Sequence, residues 1–281
     1  MTAKTLMIQG TSSGAGKTTL VTALCRILSD DGYKVAPFKS QNMSSYSYIG
    51  KDFEISRAQA IQAIAARTKI IPIMNPILLK PLGNYKSEIF VNGILYRKMH
   101  ARDYYKKFAL STGLEESKSA LDQLLKVNDI VILEGAGSPA EINLQRYDIA
   151  NMRMAEYCQS PVILVTDIDK GGSFASIVGT LALLDKTHQK LVKGFVINKF
   201  RGDVAILHPG YSILKKKTMN PVIGTIPLIK FDIPDEDSLH ANPKQVLWTK
   251  KYLRTLDKEI DHLACTVKKN IDMKKVRGMI S

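Results

Sequence analysis

Apolar runs rich in β-branched residues recur along the chain, each followed by a loop and then by a stretch whose apolar positions fall at helical spacing. Thr5–Gln9 reads as a first strand, and Lys17–Asp31 follows with Leu20, Val21, Leu24, Ile27 and Leu28 on one helical face before Gly32 stops it. Lys34–Lys39 is a second strand whose Pro37 points to a strand end or an edge. Ile55–Arg67 is an Ala-rich helix, and Asp129–Glu134, Pro161–Asp167, Val192–Lys199 and Val222–Ile226 are further strands. Continuous apolar strands alternating with helices predict a mostly parallel sheet covered by helices on both faces. Two stretches break the rhythm. Ser87–Tyr96 predicts a hairpin turning at Asn92-Gly93 that decorates the main sheet. From His240 onward, basic residues outnumber acids, and Leu256, Ile260, Leu263, Val267 and Ile271 form an apolar helical stripe. That pattern predicts a helix docked on the body rather than one lying on a membrane surface. The expected division is a main unit over 1–239 and a basic amphipathic helical tail over 240–281.

Gly10-Thr11-Ser12-Ser13-Gly14-Ala15-Gly16-Lys17-Thr18-Thr19 lies between the first strand and the first helix. Phosphates need several N–H donors converging with no side chain in the way. Glycines allow that backbone path, and the helix N-terminus adds positive potential. Lys17 is then expected to face ligand or solvent and reach the β- and γ-phosphates, while the Thr18 hydroxyl is a ligand for Mg²⁺. Gly10 and Gly16 stand one residue further apart than in the common form of this loop. The pattern predicts a P-loop NTPase-like, doubly wound, mostly parallel α/β sheet, with Gly10, Thr11, Gly14, Ala15, Gly16, Lys17, Thr18 and Thr19 holding the nucleotide. Asn198-Lys199-Phe200-Arg201 follows a late strand, with Arg201 where guanine-specific relatives carry an aspartate. Asn198 is therefore a candidate for an adenine edge, which favours ATP over GTP.

Mg²⁺ on a nucleotide takes oxygen ligands, one or two of them carboxylates. Glu134 ends a strand and opens the Gly135-Ala136-Gly137 turn, on the rim where parallel sheets bind ligands. Glu54 either completes the metal site or favours the start of the Ala-rich helix; Asp167 and Asp169, before Gly171-Gly172, are further acids at a strand end. Lys39 ends the second strand, which is expected beside the phosphate loop, where its ammonium can hold a phosphate or a substrate carboxylate. The amides of Gln41 and Asn42 suit hydrogen bonding to carboxylates or carboxamides.

The net charge of +14 fits anionic ligands as well as a lysine-rich surface, and no RNA- or DNA-binding signature accompanies it. Cys25, Cys158 and Cys265 are odd in number and far apart, in helix-like contexts that predict buried structural thiols. With no signal-peptide pattern and no membrane-length apolar run, the expected compartment is the cytoplasm. No nucleophile constellation and no paired metal-ligand histidines occur, so phosphoryl chemistry is the expected activity.

Gln9–Lys17, Ala36–Met43, Glu54–Ala60, Asn75–Pro81, Glu134–Leu144, Asp148–Met152, Val165–Phe174 and Gly194–Asp203 together resemble the synthetase half of cobyric acid synthase, within the wider dethiobiotin synthetase-like group. The resemblance covers roughly residues 5–239. It implies ATP-dependent amidation of corrinoid side-chain carboxylates, from adenosylcobyrinic acid a,c-diamide to cobyric acid, through acyl phosphates. It implies Lys17, Lys39 and Glu134 as catalytic residues; Thr18, Glu54 and Glu134 as metal ligands; and Gln41, Asn42, Asn143, Asp148 and Asn151 on the substrate or ammonia side. ATP and Mg²⁺ are the implied cofactors, and a corrinoid and ammonia the implied partners. Neither nucleic acid nor a membrane is expected, and a homodimer is left open. The family continues into a glutaminase domain, for which too little chain follows Leu239. Ammonia is therefore expected from solution or from a separate glutaminase subunit, or the chain is a degenerate relative. Two alternatives stay open: cobyrinic acid a,c-diamide synthase or another ligase of the group, and a non-catalytic ATP switch, which usually carries an extra lysine early in the loop that this chain lacks.

Overall fold

The computed structural model describes residues 3–229 and 247–280. Its centre is a six-stranded, all-parallel sheet. The strands are β1 (Lys4–Gly10), β2 (Val35–Phe38), β9 (Ile130–Glu134), β10 (Val162–Asp167), β11 (Val192–Phe200) and β12 (Val222–Pro227), in the order β12-β11-β10-β1-β9-β2. Alternation along each strand divides the core. Leu6, Ile8, Ile130, Ile132, Ile163 and Val165 face one layer; Met7, Val131, Leu133, Val162 and Leu164 face the other. The first layer is built on α1 (Lys17–Asp30) and α9 (Lys250–Asn270), with Ile61 and Ala65 of α2 (Arg57–Ala65). The second takes residues from α4 (Leu114–Val127), α5 (Met152–Tyr157), α6 (Ser173–Leu183) and α8 (His208–Thr218). Helices on both faces of a parallel sheet are the doubly wound arrangement that the run pattern predicts.

Between β2 and α4 the chain builds smaller sheets. β3 (Gln41–Met43) runs parallel to β6 (Ile77–Gly83), which pairs antiparallel with β7 (Lys86–Val91), which in turn pairs with β8 (Ile94–His100). β4 (Ser47–Ile49) and β5 (Glu54–Ser56) form a two-stranded ribbon. The expected hairpin is present and turns at Asn92 and Gly93, both at positive φ (46° and 83°). It does not join the main sheet, however, because β3 and β6 give it a sheet of its own. That sheet packs Ile77, Leu79 and Ile89 on Tyr104, Phe108 and Ala109 of a π-helical stretch, Tyr104–Gly113. The stretch follows the short α3 (Ala101–Asp103). The Ala-rich helix also starts later than expected. Ile55 belongs to β5, and Ser56 caps α2 by accepting from the Ala58 N–H.

β2 does not lie beside β1; β9 sits between them, pairing with both. The crossover through the small sheets returns the chain on β9, which takes the place next to β1.

The C-terminal stripe is where α9 docks. Leu256, Ile260, Leu263 and Val267 are buried, and Ile271 and Met273, the latter opening α10 (Met273–Met279), join the same core. The Glu236–Leu239 boundary, and the start of the basic stretch at His240, lie outside the described residues. Docking is fixed by a buried charge. The Arg26 guanidinium on α1 is wholly covered and donates to Asp257 (2.5 Å) and Asp261 (2.6 Å) on α9 and, through Nε, to the Ala65 carbonyl of α2 (2.9 Å). Among the described residues no helix is long and apolar enough to cross a membrane.

Of the three cysteines, only Cys25 is fully buried, its thiol pushed far above its usual value by burial. Cys158 is half-buried, with its thiol raised to about 11, mainly by burial. Cys265 is exposed on the outer face of α9.

Removing both carboxylates, as in Asp257→Asn/Asp261→Asn, leaves the buried Arg26 charge without a countercharge; because Asp257 and Asp261 are themselves about half exposed (45% and 53%), solvent screens part of the pair and the cost falls to about 1–2 kcal/mol. The double variant is expected to lose about that much in urea unfolding, whereas Lys258→Gln on the same helix is expected to lose almost nothing.

Candidate active site

The carboxyl ends of β1, β2, β9, β10 and β11 converge on the loop between Gly10 and Thr19. Gly14 and Gly16 adopt positive φ (69° and 103°), which turns the chain so that α1 begins at Lys17. A Cβ at Gly16 would sit 1.9 Å from Asn198 Nδ2, so this position needs glycine for space as well as for conformation. Thr11 is tied to β10 through its N–H to the Val165 carbonyl (2.9 Å) and its hydroxyl to Thr166 (3.1 Å). Of the two settings expected for Lys17, ligand or solvent, the solvent-facing one is not found. The side chain is buried, and its Nζ donates to the carbonyls of Ser12 (3.1 Å) and Gly137 (3.0 Å), spanning the loop and the turn after β9.

Glu134 is the centre of the arrangement, with 1% of its surface exposed. Its Oε1 accepts from the Thr18 hydroxyl at 2.7 Å and from Lys39 Nζ at 2.8 Å; its Oε2 accepts from Gln62 Nε2 at 2.5 Å. Lys39, immediately after β2, thus reaches Glu134 at the end of β9, the strand that separates β2 from β1. The backbone at Lys39 is held in turn. The Lys39 N–H donates to Met74 O, and Asn75 Nδ2 donates to Lys39 O (3.0 Å) and Ile77 O (3.0 Å).

Gln62 belongs to a buried relay of amides. Asn42 Nδ2 donates to Ser56 Oγ (2.7 Å) and Gln59 Oε1 (3.0 Å), Gln59 donates to Gln62 Oε1 (3.3 Å), and Gln62 donates to Glu134. Asn42, Gln59 and Gln62 are all buried, so the Asn42 amide is directed into this relay. Gln41 is half-buried and accepts from the Tyr104 hydroxyl at 2.6 Å.

The other candidates are distributed around this centre. Glu54 sits in β5, where it accepts from Ser47 and pairs with Lys80 at 2.5 Å. Asp148 Oδ1 accepts from the N–H groups of Ala150 (2.7 Å) and Asn151 (3.1 Å), while burial holds its carboxyl above the usual range. Asn151 is buried and donates through Nδ2 to Ala136 O at 2.7 Å. Asn143 is exposed on the loop between Gly137 and Asp148. Asp169 pairs with Arg201 at 3.0 Å. Gly171 and Gly172 both adopt positive φ ahead of α6.

Three residues around the loop escape sequence reasoning. Gln62 sits in an Ala-rich helix; the signal is a polar pair, Gln59 and Gln62, one turn apart on a face that is otherwise apolar. Lys199, itself at φ 61°, donates to Gly14 O (2.8 Å) and pairs with Asp167 (2.8 Å). Beside it, Asn198 Nδ2 donates to Ala15 O at 2.9 Å. The end of β11 therefore holds two successive carbonyls of the phosphate loop, and the Asn198 amide N–H is engaged there. Gln9 is buried at the end of β1, where an apolar strand residue would be the default.

A strand, a glycine loop with a lysine and a threonine opening a helix, and an acid ending a neighbouring strand define a nucleotide-binding α/β protein of the P-loop class. The chain belongs to the CobQ/CobB/MinD/ParA nucleotide binding domain family, CbiA, whose model matches residues 6–238. It is 53% identical over 244 residues to a probable cobyric acid synthase of Thermococcus kodakarensis, covering 86% of this chain and 50% of that protein. It is 49% identical over 265 residues to a cobyric acid synthase of Lachnoclostridium phytofermentans, covering 92% of this chain and 49% of that protein. The resemblance to cobyric acid synthase is thereby borne out, and the chain spans about half the length of these curated relatives. Among solved structures, the MinD cell division protein of Aquifex aeolicus aligns with a TM-score of 0.48 at 12% identity, over 98% of this chain and 97% of that one.

Two substitutions probe this geometry. Gly16→Ala drives a methyl into Asn198 at a positive φ and is expected to weaken binding of a fluorescent ATP analogue at least tenfold. Lys39→Met removes a buried countercharge from Glu134 and is expected to cost about 3 kcal/mol in urea unfolding, of which Lys39→Met/Glu134→Gln recovers more than half.

Proposed function

We propose that this chain is the ATP-dependent amidating unit of a cobyric acid synthase, converting side-chain carboxylates of adenosylcobyrinic acid a,c-diamide to carboxamides. The observation that carries the reading is Glu134, buried between Thr18 of the phosphate loop and Lys39 at the end of β2. It sets a nucleotide loop beside a second lysine that suits an anionic acceptor. The names borne by the relatives supply the corrinoid and the amide product.

A carboxylate does not react with ammonia because it has no usable leaving group. In the proposed sequence a carboxylate oxygen attacks the γ-phosphorus of ATP, ADP departs, and an acyl phosphate forms. Ammonia then attacks the acyl carbon, the carbon–oxygen bond to phosphate breaks with its electron pair on phosphate, and the nitrogen loses a proton. Here the protein's work is positioning and charge neutralisation. Lys17, drawn from its contacts with Ser12 O and Gly137 O, would follow the transferring phosphoryl group. Lys39 would balance the negative charge of the carboxylate and the phosphate together.

The donor set fits a magnesium ion carried in by the nucleotide. Thr18 Oγ1 and Glu134 are hard oxygen donors that already converge, and among the described residues no group of three or more His, Cys, Asp and Glu could hold a metal unaided. Thr18 and Glu134 would hold that ion, which when bound neutralises phosphate charge. Gln41, Asn143 and Asp148 stand as candidates for the corrinoid side of the site.

The test is ATP-dependent amidation of adenosylcobyrinic acid a,c-diamide with ammonium, read by product mass. Stepwise conversion of carboxyl to carboxamide is expected, with Lys17→Ala at least a thousandfold slower and still folded. Product formed only from cobyrinic acid would instead assign the a,c-diamide synthase reaction. Nucleotide-dependent dimerisation with no corrinoid turnover would assign an ATP switch.

A further inference from the structure

Among the described residues, two buried amide oxygens near Glu134 have no hydrogen-bond partner: Gln9 Oε1 and Asn151 Oδ1. Gln9 is 0% exposed and Asn151 3% exposed. Buried acceptors are nearly always paired, because each gives up water on folding. Two such acceptors on residues that both pack against Gly135 call for a partner that supplies hydrogens.

Both residues pack against Gly135. A Cβ at Gly135 would lie 2.2 Å from Asn151 Oδ1 and 3.1 Å from Gln9 Cγ, so the missing side chain is what admits them. The neighbourhood is fixed by backbone. The Gly135 N–H donates to Ile8 O at 2.9 Å, and Ile8 is the register partner of Glu134. The orientation of the Asn151 amide is fixed as well, since Nδ2 donates to Ala136 O at 2.7 Å and Oδ1 must point the other way. On Gln9, Nε2 faces only the Met7 sulfur at 3.3 Å, a weak acceptor.

The chemistry of this pair is opposite to that of the lysines. Lys17 and Lys39 attract anions. Two carbonyl-type oxygens repel a carboxylate or a phosphate and accept from N–H groups. Burial this deep also selects a ligand of atomic size. We propose that Gln9 Oε1 and Asn151 Oδ1 form the subsite for the nitrogen substrate, binding ammonia or ammonium through its N–H groups one residue along from Glu134. This rests on the amidation reading above and adds to it the group that receives nitrogen. Bound by two of its N–H bonds, ammonia keeps its lone pair for the acyl carbon. Ammonium entering the same place would first lose one proton to solvent. A bound water, which also offers two hydrogens, is the rival occupant.

The experiment has a kinetic arm and a binding arm. In amidation assays with ammonium varied, Gln9→Leu is expected to raise the KM for ammonium at least tenfold while leaving the KM for ATP within twofold. Gln9→Glu, which keeps an acceptor, is expected to hold the ammonium KM at or below that of the parent. An ammonium KM unmoved by Gln9→Leu, or a loss shared equally by ammonium and ATP, would overturn the proposal. In the binding arm, crystals are soaked in Tl⁺, a cation of ammonium size. An anomalous peak bonded to Gln9 Oε1 and Asn151 Oδ1, absent in Gln9→Leu, is expected. Water alone at that position would overturn it. If the parent protein amidates no corrinoid, the amidation reading fails on its own, and the Tl⁺ result still decides the site.

Discussion

A carboxylate removed from water must be given partners, and this requirement organises the region around Glu134. Its two oxygens accept from Thr18 on α1, Lys39 at the end of β2 and Gln62 on α2. Three segments far apart in sequence are therefore held in register by one side chain. An isolated buried charge is strongly unfavourable, whereas one paired and hydrogen-bonded on both oxygens is tolerated and rigid. Rigidity suits the proposed phosphoryl transfer, which depends on atoms held in place before the reaction begins.

The phosphate loop is fastened from two sides. On one, Lys17 bridges Ser12 O and Gly137 O; on the other, Asn198 and Lys199 take the carbonyls of Ala15 and Gly14. These side-chain bonds occupy the carbonyls of Ser12, Gly14 and Ala15, whereas an anion at a helix N-terminus is held by N–H groups. Further out, Arg26 locks α9 onto α1, the helix that begins with Lys17 and Thr18, so the C-terminal helix buttresses the same element that carries the site.

Most of the sheet was legible in the sequence because parallel strands buried on both faces are unbroken apolar runs. The six strands and α1 could be read from that signal, as could the phosphate loop, whose glycines and Lys-Thr pair have one dominant use. Long-range pairing was not legible. That β9 would separate β2 from β1, and that the Asn92-Gly93 hairpin would build its own sheet on β3 and β6, depend on which strand finds which neighbour. Local pattern does not encode that choice. Short strands such as Gln41–Met43 and Glu54–Ser56 carry too few residues for periodicity to show. At the site, Glu134, Thr18 and Lys39 could be placed by strand ends and motif. Gln62 and Gln9 could not, because an isolated polar residue in an apolar segment reads the same whether it faces solvent or a buried partner.

The central claim is that the phosphate loop and Glu134 serve to move a phosphoryl group onto a corrinoid carboxylate, and its most direct test follows the oxygen atoms. With the substrate carboxylates labelled with ¹⁸O, and ATP, magnesium and ammonium supplied, the account predicts that each amide formed releases one phosphate carrying one ¹⁸O. Amide formation with unlabelled phosphate would contradict it, since the carboxylate oxygen would then never have been bonded to phosphorus.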